Sequence, residues 1–131
     1  MNSDNVKRLI KILAVDDSAF MLTAITKMIR SDPELDVVST ARDGYKALFK
    51  LSQTRVDLII GGVNMPDMDG LEFVRNLNDM KLEPPIPIIM ITTEGTESKV
   101  ADILSFGAIA CIAKPFTSDQ LREKIGRVFA T

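Results

Sequence analysis

Residues 10–18 read Ile-Lys-Ile-Leu-Ala-Val-Asp-Asp-Ser, an apolar run that stops on two adjacent carboxylates and a hydroxyl. Ile12 to Val15 lack the apolar–polar alternation of a half-exposed strand, so the run reads as a strand buried on both faces. Four further short apolar runs follow, at residues 37–41, 58–60, 86–91 and 109–113. Between them apolar side chains recur at helical spacing: Met21, Ile25, Met28 and Ile29; Phe73, Val74 and Leu77; Val100, Ile103 and Leu104. The last stripe is the clearest, with Leu121, Ile125, Val128 and Phe129 at i, i+4, i+7 and i+8. Residues 44–52 make a shorter helix candidate carrying Ala47, Leu48 and Leu51.

Helix starts are marked by short polar side chains that accept backbone N–H groups. Thr117 with Gln120 predicts a capping box, and Phe116 with Leu121 a hydrophobic staple. Asp69 followed by Glu72 gives a similar signal; Asp43 and Thr96 suit two more helices, and Asp17 or Ser18 the first. Pro33 marks the stop of that first helix. Five strands alternating with five helices imply a parallel sheet, right-handed crossovers and helices on both faces. The expected fold is a three-layer α/β/α sandwich, one domain over residues 10–131 behind a loose extension at 1–9.

Composition narrows the chemistry. The chain has 131 residues, with 16 basic and 18 acidic side chains and a net charge of −2, so no broad basic footprint for nucleic acid is expected. No apolar run approaches the roughly 18 residues of a membrane span, and residues 1–11 do not read as a signal peptide. No His is present, which removes Ser–His and Cys–His couples, an imidazole base and HExxH zinc sites. The lone Cys111 has no partner for an internal disulfide and suits a cytoplasmic location. What remains is carboxylate, Lys, hydroxyl and backbone chemistry.

Open parallel sheets bind ligands beyond the carboxyl ends of their strands. Here those ends read Asp16-Asp17 after the first run, Gly61-Gly62-Val63-Asn64 after the third, Thr92-Thr93-Glu94 after the fourth and Lys114-Pro115 after the fifth. Paired carboxylates with backbone oxygens suit a hard cation such as Mg²⁺, and a Lys and a Thr hydroxyl suit the oxygens of a phosphoryl group. Each residue also has a plainer reading: Asp16 or Asp17 as a helix cap, Lys114 as their neutralising partner, Thr92 as a strand-end hydroxyl. Four coincident strand ends favour the joint site.

The strings Val15-Asp16-Asp17-Ser18, Asn64-Met65-Pro66-Asp67-Met68-Asp69-Gly70, Ile91-Thr92 and Lys114-Pro115-Phe116 resemble the receiver domain of bacterial response regulators, the single-domain chemotaxis regulators above all. The resemblance covers nearly the whole chain. It implies a flavodoxin-like receiver fold with strand order 2-1-3-4-5 and a place in two-component phosphorelay signalling. It also implies a phosphoryl pocket of Asp16, Asp17, Thr92 and Lys114, and Mg²⁺ held by Asp16, Asp17 and Asn64. Implied partners are a histidine kinase and a downstream protein that meets the face of the fourth helix, fifth strand and fifth helix, without nucleic acid or membrane insertion. The resemblance further implies a module that acts by contact and is not an enzyme.

Two departures qualify that expectation. The family's phosphoacceptor is an Asp two residues before the Asn of the Asn-Met-Pro run, and here that position is Gly62. Asp57 lies five residues back, about 16 Å along the strand, and Asp67 and Asp69 lie beyond Pro66 in the next loop. With one carboxylate gone, Mg²⁺ affinity is expected to fall, Lys114 to pair more fully with Asp16 and Asp17, and Gly61 with Gly62 to cost the strand about 0.5–1 kcal/mol each. The second departure is Cys111, three residues before Lys114, where family members often carry the Tyr or Phe that moves with the strand-end Thr; the resemblance thus makes Thr92 and Cys111 the switch positions. Gly62 admits two origins, an engineered Asp-to-Gly form or a natural pseudo-receiver. Two rivals share the architecture. A flavin-binding flavodoxin wants a hydroxyl- and glycine-rich phosphate loop and more aromatics, and an aspartyl phosphatase wants Asp-x-Asp in place of Asp-Asp.

Overall fold

Strands and helices alternate from end to end in the computed structural model, which describes residues 9–65 and 67–130. The strands are β1 (Ile10–Val15), β2 (Leu35–Ala41), β3 (Leu58–Gly62), β4 (Ile88–Thr92) and β5 (Ala110–Ala113). The helices are α1 (Ala19–Arg30), α2 (Gly44–Leu51), α3 (Gly70–Asp79), α4 (Glu97–Ser105) and α5 (Ser118–Val128). The sheet is parallel, as the alternation of elements predicts, and its order is β2-β1-β3-β4-β5, as the resemblance implies. The chain therefore reverses its direction of winding between β1 and β3, and a crevice opens above their carboxyl ends. The predicted extension at 1–9 lies almost wholly outside the described residues.

Period-2 alternation splits the core into two layers. Ile12, Ala14, Ile60, Ile89 and Ile91 face α1 and α5, which bring Ile25, Ile29, Leu121 and Ile125. Leu13, Val15, Ile59, Ile88 and Met90 face the other way, onto Ala47 and Leu51 of α2, Phe73, Val74 and Leu77 of α3 and Ile103 of α4. All five residues of β3 and of β4 are buried, which explains their continuous apolar reading. Each fully buried aliphatic or aromatic side chain contributes about 2 kcal/mol.

The helix caps fall where the side chains predict. Asp43, Asp69 and Thr96 accept N–H groups of Lys46, Glu72 and Lys99, and both halves of the Thr117–Gln120 capping box are formed. Ser18, not Asp17, caps α1, because Asp17 lies one residue too early for its carboxylate to meet Met21 N–H.

The sequence misplaced some details. β2 begins two residues before the apolar run, since Leu35 and Asp36 pair with Ile10 and Lys11. β4 begins after Pro87, which has no N–H to give the ladder. Partners shift from Ile12↔Val37 to Leu13↔Ser39, so Val38 is a bulge on the edge strand and is exposed. Leu104, assigned by its spacing to the core, is 42% exposed, a helical step of about 100° from the buried Ile103. Among the described residues no helix is long and apolar enough to cross a membrane.

Candidate functional site

The register sets the ends of β1, β3 and β4 level. Val15 lies opposite Gly61, and Gly62 opposite Ile91. Asp16 extends β1 by one bond, its N–H donating to Ala41 O at 3.1 Å, and its side chain is 3% exposed. One oxygen, Oδ1, accepts the N–H of Ser18 at 2.9 Å; the other, Oδ2, lies 3.7 Å from Lys114 Nζ. Lys114 is held from the other side by its own N–H, which donates to Thr92 O at 2.8 Å. Asp17 is exposed, and its carbonyl accepts from Arg42 Nε at 2.9 Å.

Burial is the main influence on Asp16 and raises its pKa above the ordinary 3.8; the adjacent Asp17 pushes the same way, while Ser18 N–H and the Lys114 charge pull it down. A carboxyl that titrates higher in the fold than in the unfolded chain weakens stability as pH rises from 3.8 through the folded value. Asp16→Asn keeps an acceptor for Ser18 N–H and removes the buried charge. In the presence of a chelator it is expected to melt about 4 °C above the parent chain at pH 7. That gain closes as pH falls below 3.8, where the parent carboxyl is protonated in both states. Thermal melts of both proteins across pH check the sign.

Gly62 closes β3 beside this carboxylate. A Cβ built on it lies 3.1 Å from Asp16 Oδ2 and 3.9 Å from Met65 Cγ, so a side chain at 62 would project into the pocket. Its twin Gly61 faces Ile88 and Val15 in the core. The remaining acids stand elsewhere. Asp57 Oδ2 accepts Lys11 N–H at 2.9 Å at the entry to β1, Asp69 caps α3, and Asp67 is exposed on the loop at φ 69°.

Thr92 is buried at the end of β4, where its Oγ1 accepts Glu94 N–H at 3.0 Å and lies 3.3 Å from Glu94 O. Its hydroxyl is thus engaged with the β4–α4 loop. Asn64 is exposed, and its amide makes a 3.5 Å contact with Thr93 Oγ1 that links the β3–α3 and β4–α4 loops. Cys111 is half-buried on β5. Burial pushes its thiol pKa up and the Lys124 charge opposes this; the residue borders a groove with Leu104, Ile109 and Arg127.

Asp16, Lys114, Thr92 and Gly62 thus meet at one rim, with Asp17 and Asn64 at its mouth. Among the described residues no three His, Cys, Asp or Glu side chains are grouped to hold a metal ion. Sequence reasoning missed Gly70. A Cβ there would lie 2.6 Å from Gly62 O and 2.8 Å from Val63 Cα, because α3 begins directly on the end of β3. The Asp-Gly pair before the Phe73 stripe was its only signal.

Residues 12–126 match the response regulator receiver domain family. The chain is 38% identical over 127 residues to a protein-glutamate methylesterase/protein-glutamine glutaminase of Symbiobacterium thermophilum, covering 95% of this chain and 34% of that protein. It spans about a third of the length of such relatives, so their ester and amide chemistry is not carried over with the match. The chemotaxis response regulator CheY4 of Vibrio cholerae superposes with a TM-score of 0.83 at 35% identity, over 92% of this chain and 99% of that one. The CheX-CheY-BeF3-Mg+2 complex of Borrelia burgdorferi gives a TM-score of 0.85 at 29% identity, over 100% and 96%.

Proposed function

The chain belongs to the response regulator receiver family, and from that premise we propose that it is a chemotaxis-type two-component receiver that signals by contact and takes up no phosphoryl group. The observation that carries this reading is Gly62, which stands where a side chain would enter the Asp16 pocket and has no atom to phosphorylate. Position 62 is the acceptor position, two residues before Asn64 of the Asn-Met-Pro run. Asp16, Asp17, Thr92 and Lys114 are what remains of the phosphoryl pocket. Thr92 and Cys111 stand at the switch positions. Cys111 lacks the aromatic ring of that switch, which favours divergence of the whole device over loss of one residue.

The donor set suits Mg²⁺ poorly. Asp16 is already shared between Ser18 N–H and Lys114, and among the described residues no third acid joins it and Asp17 in a metal-holding group. Asp16, Asp17 and a backbone oxygen at Asn64 would hold the ion, which supplies positive charge to phosphoryl oxygens when bound. Residues 10–131 form the receiver module, placed in the cytoplasm and acting without catalysis. Its partners are a histidine kinase and a downstream protein on the α4–β5–α5 face, where Leu104 and Ile109 are exposed beside Lys124 and Arg127. Incubated with a small acyl phosphate and Mg²⁺ and then weighed intact, the unchanged chain is expected to show no phosphoryl adduct. A stoichiometric adduct would sink the reading.

A further inference from the structure

A groove of about 460 Å³ runs between α1 and the edge strand β2, on the flank of α1 away from Met21 and Met28. Lys27, Arg30 and Arg42 line it and no carboxylate does, in a chain whose net charge is −2. Lys27 and Arg30 also complement the carboxyl end of the α1 dipole, but that role does not account for Arg42, on the β2–α2 turn. Arg42 Nε donates to Asp17 O at 2.9 Å, which fixes the guanidinium and leaves its terminal amino groups for a carboxylate.

The shape and donors of the groove select among anions. It follows α1 from Ala19 to Arg30, about 16 Å at the helical rise, too long for one compact oxyanion. Thr23 and Thr26 already donate their hydroxyls to Ala19 O and Leu22 O, at 3.0 and 2.8 Å, so neither has an O–H left for a phosphate. No aromatic side chain lines the groove to stack on a base, and Leu22 gives it an apolar floor. Cations at both ends of an apolar floor complement carboxylates spaced along a chain.

We propose that the α1–β2 groove docks an acidic, partly apolar segment of another protein, its carboxylates paired with Arg42 at one end and with Lys27 and Arg30 at the other. Gly62→Asp, which adds a side chain beside Asp16 and none in the groove, is expected to leave this docking unchanged. The probe is a blocked peptide of sequence Glu-Leu-Glu-Ala-Leu-Glu-Glu-Leu, titrated into the ¹⁵N-labelled full chain. Amide shifts are expected at residues 19–30 and 40–42, with an affinity that falls as salt is added. Arg42→Glu, and separately Lys27→Ala with Arg30→Ala, are expected to weaken binding about tenfold while the remaining amide spectrum is retained. Binding unchanged by both variants, or shifts centred instead on Lys124 and Arg127, would overturn the proposal. So would ATP or inorganic phosphate perturbing the same amides more strongly than the peptide, which would reassign the groove to a compact phosphate.

Discussion

The Gly62→Asp variant is expected to bind Mg²⁺ at least about tenfold more tightly than the parent chain, and without the ion to melt below it at pH 7. Both effects follow from one distance. A Cβ at 62 lies 3.1 Å from Asp16 Oδ2, so a carboxylate there must share the pocket with Asp16, and Asp16 must give by a few tenths of an ångström. Lys114 at 3.7 Å is the one cation paired with Asp16 among the described residues and cannot neutralise two buried acids with Asp17 beside them. A third charged oxygen ligand strengthens a hard-cation site and, metal-free, raises like-charge repulsion. Replacing Gly also restricts the unfolded chain, a gain of up to about 1 kcal/mol that the buried repulsion exceeds. The repulsion raises the carboxyl pKa values further, so the deficit shrinks as pH falls and the acids protonate. Calorimetric Mg²⁺ titration and melts with and without the ion test the pair of outcomes. Parent and variant binding Mg²⁺ equally would contradict the placement of side chain 62.

Gly70→Ala is expected to cost roughly 3 kcal/mol, about 10 °C of melting temperature. The added methyl meets Gly62 O at 2.6 Å and Val63 Cα at 2.8 Å, and these are backbone atoms of the buried strand end. Neither can turn aside as a side chain can. The start of α3 must lift instead, which stretches the 2.7 Å bond from Gly70 N–H to Val63 O. Gly44→Ala is the matched control: its Cβ meets only the flexible side chain of Met68, which can change rotamer. The expected order in denaturant midpoint is parent, then Gly44→Ala, then Gly70→Ala well below. A Gly70→Ala midpoint equal to that of Gly44→Ala would show that α3 is not seated against β3 as described.

The element order was legible because each signal is local, whereas the strand order came from the resemblance to receiver domains. β3 and β4 are apolar throughout because both faces are buried, and the caps Asp43, Asp69, Thr96 and Thr117 act within three residues of themselves. The strand-end rule likewise puts Asp16, Thr92 and Lys114 at one rim of the sheet. What stayed hidden depends on contacts between distant segments. Leu104 fits a buried stripe by spacing and is exposed because α4 turns Ile103 to the sheet. Gly61 and Gly62 are indistinguishable as letters, and only the pleat sends one into the core and the other into the acid pocket. The crowding at Gly70 arises from the end of β3 and from the Met90 side chain of β4, which also meets a Cβ built there. Lys114 reaches Asp16 and not the equally eligible Asp17, because Asp16 is turned inward while Asp17 lies at the surface.

The central claim is that position 62 is the phosphoacceptor position and that this chain lacks the acceptor. The most direct measurement treats the parent and Gly62→Asp side by side with a small acyl phosphate and Mg²⁺, weighs both intact, and maps any adduct by peptide sequencing. The account predicts one phosphoryl group on residue 62 of the variant, labile to acid, base and hydroxylamine as an acyl phosphate is, and none on the parent. Equal labelling of both proteins, or an adduct on Asp17 in each, would contradict it.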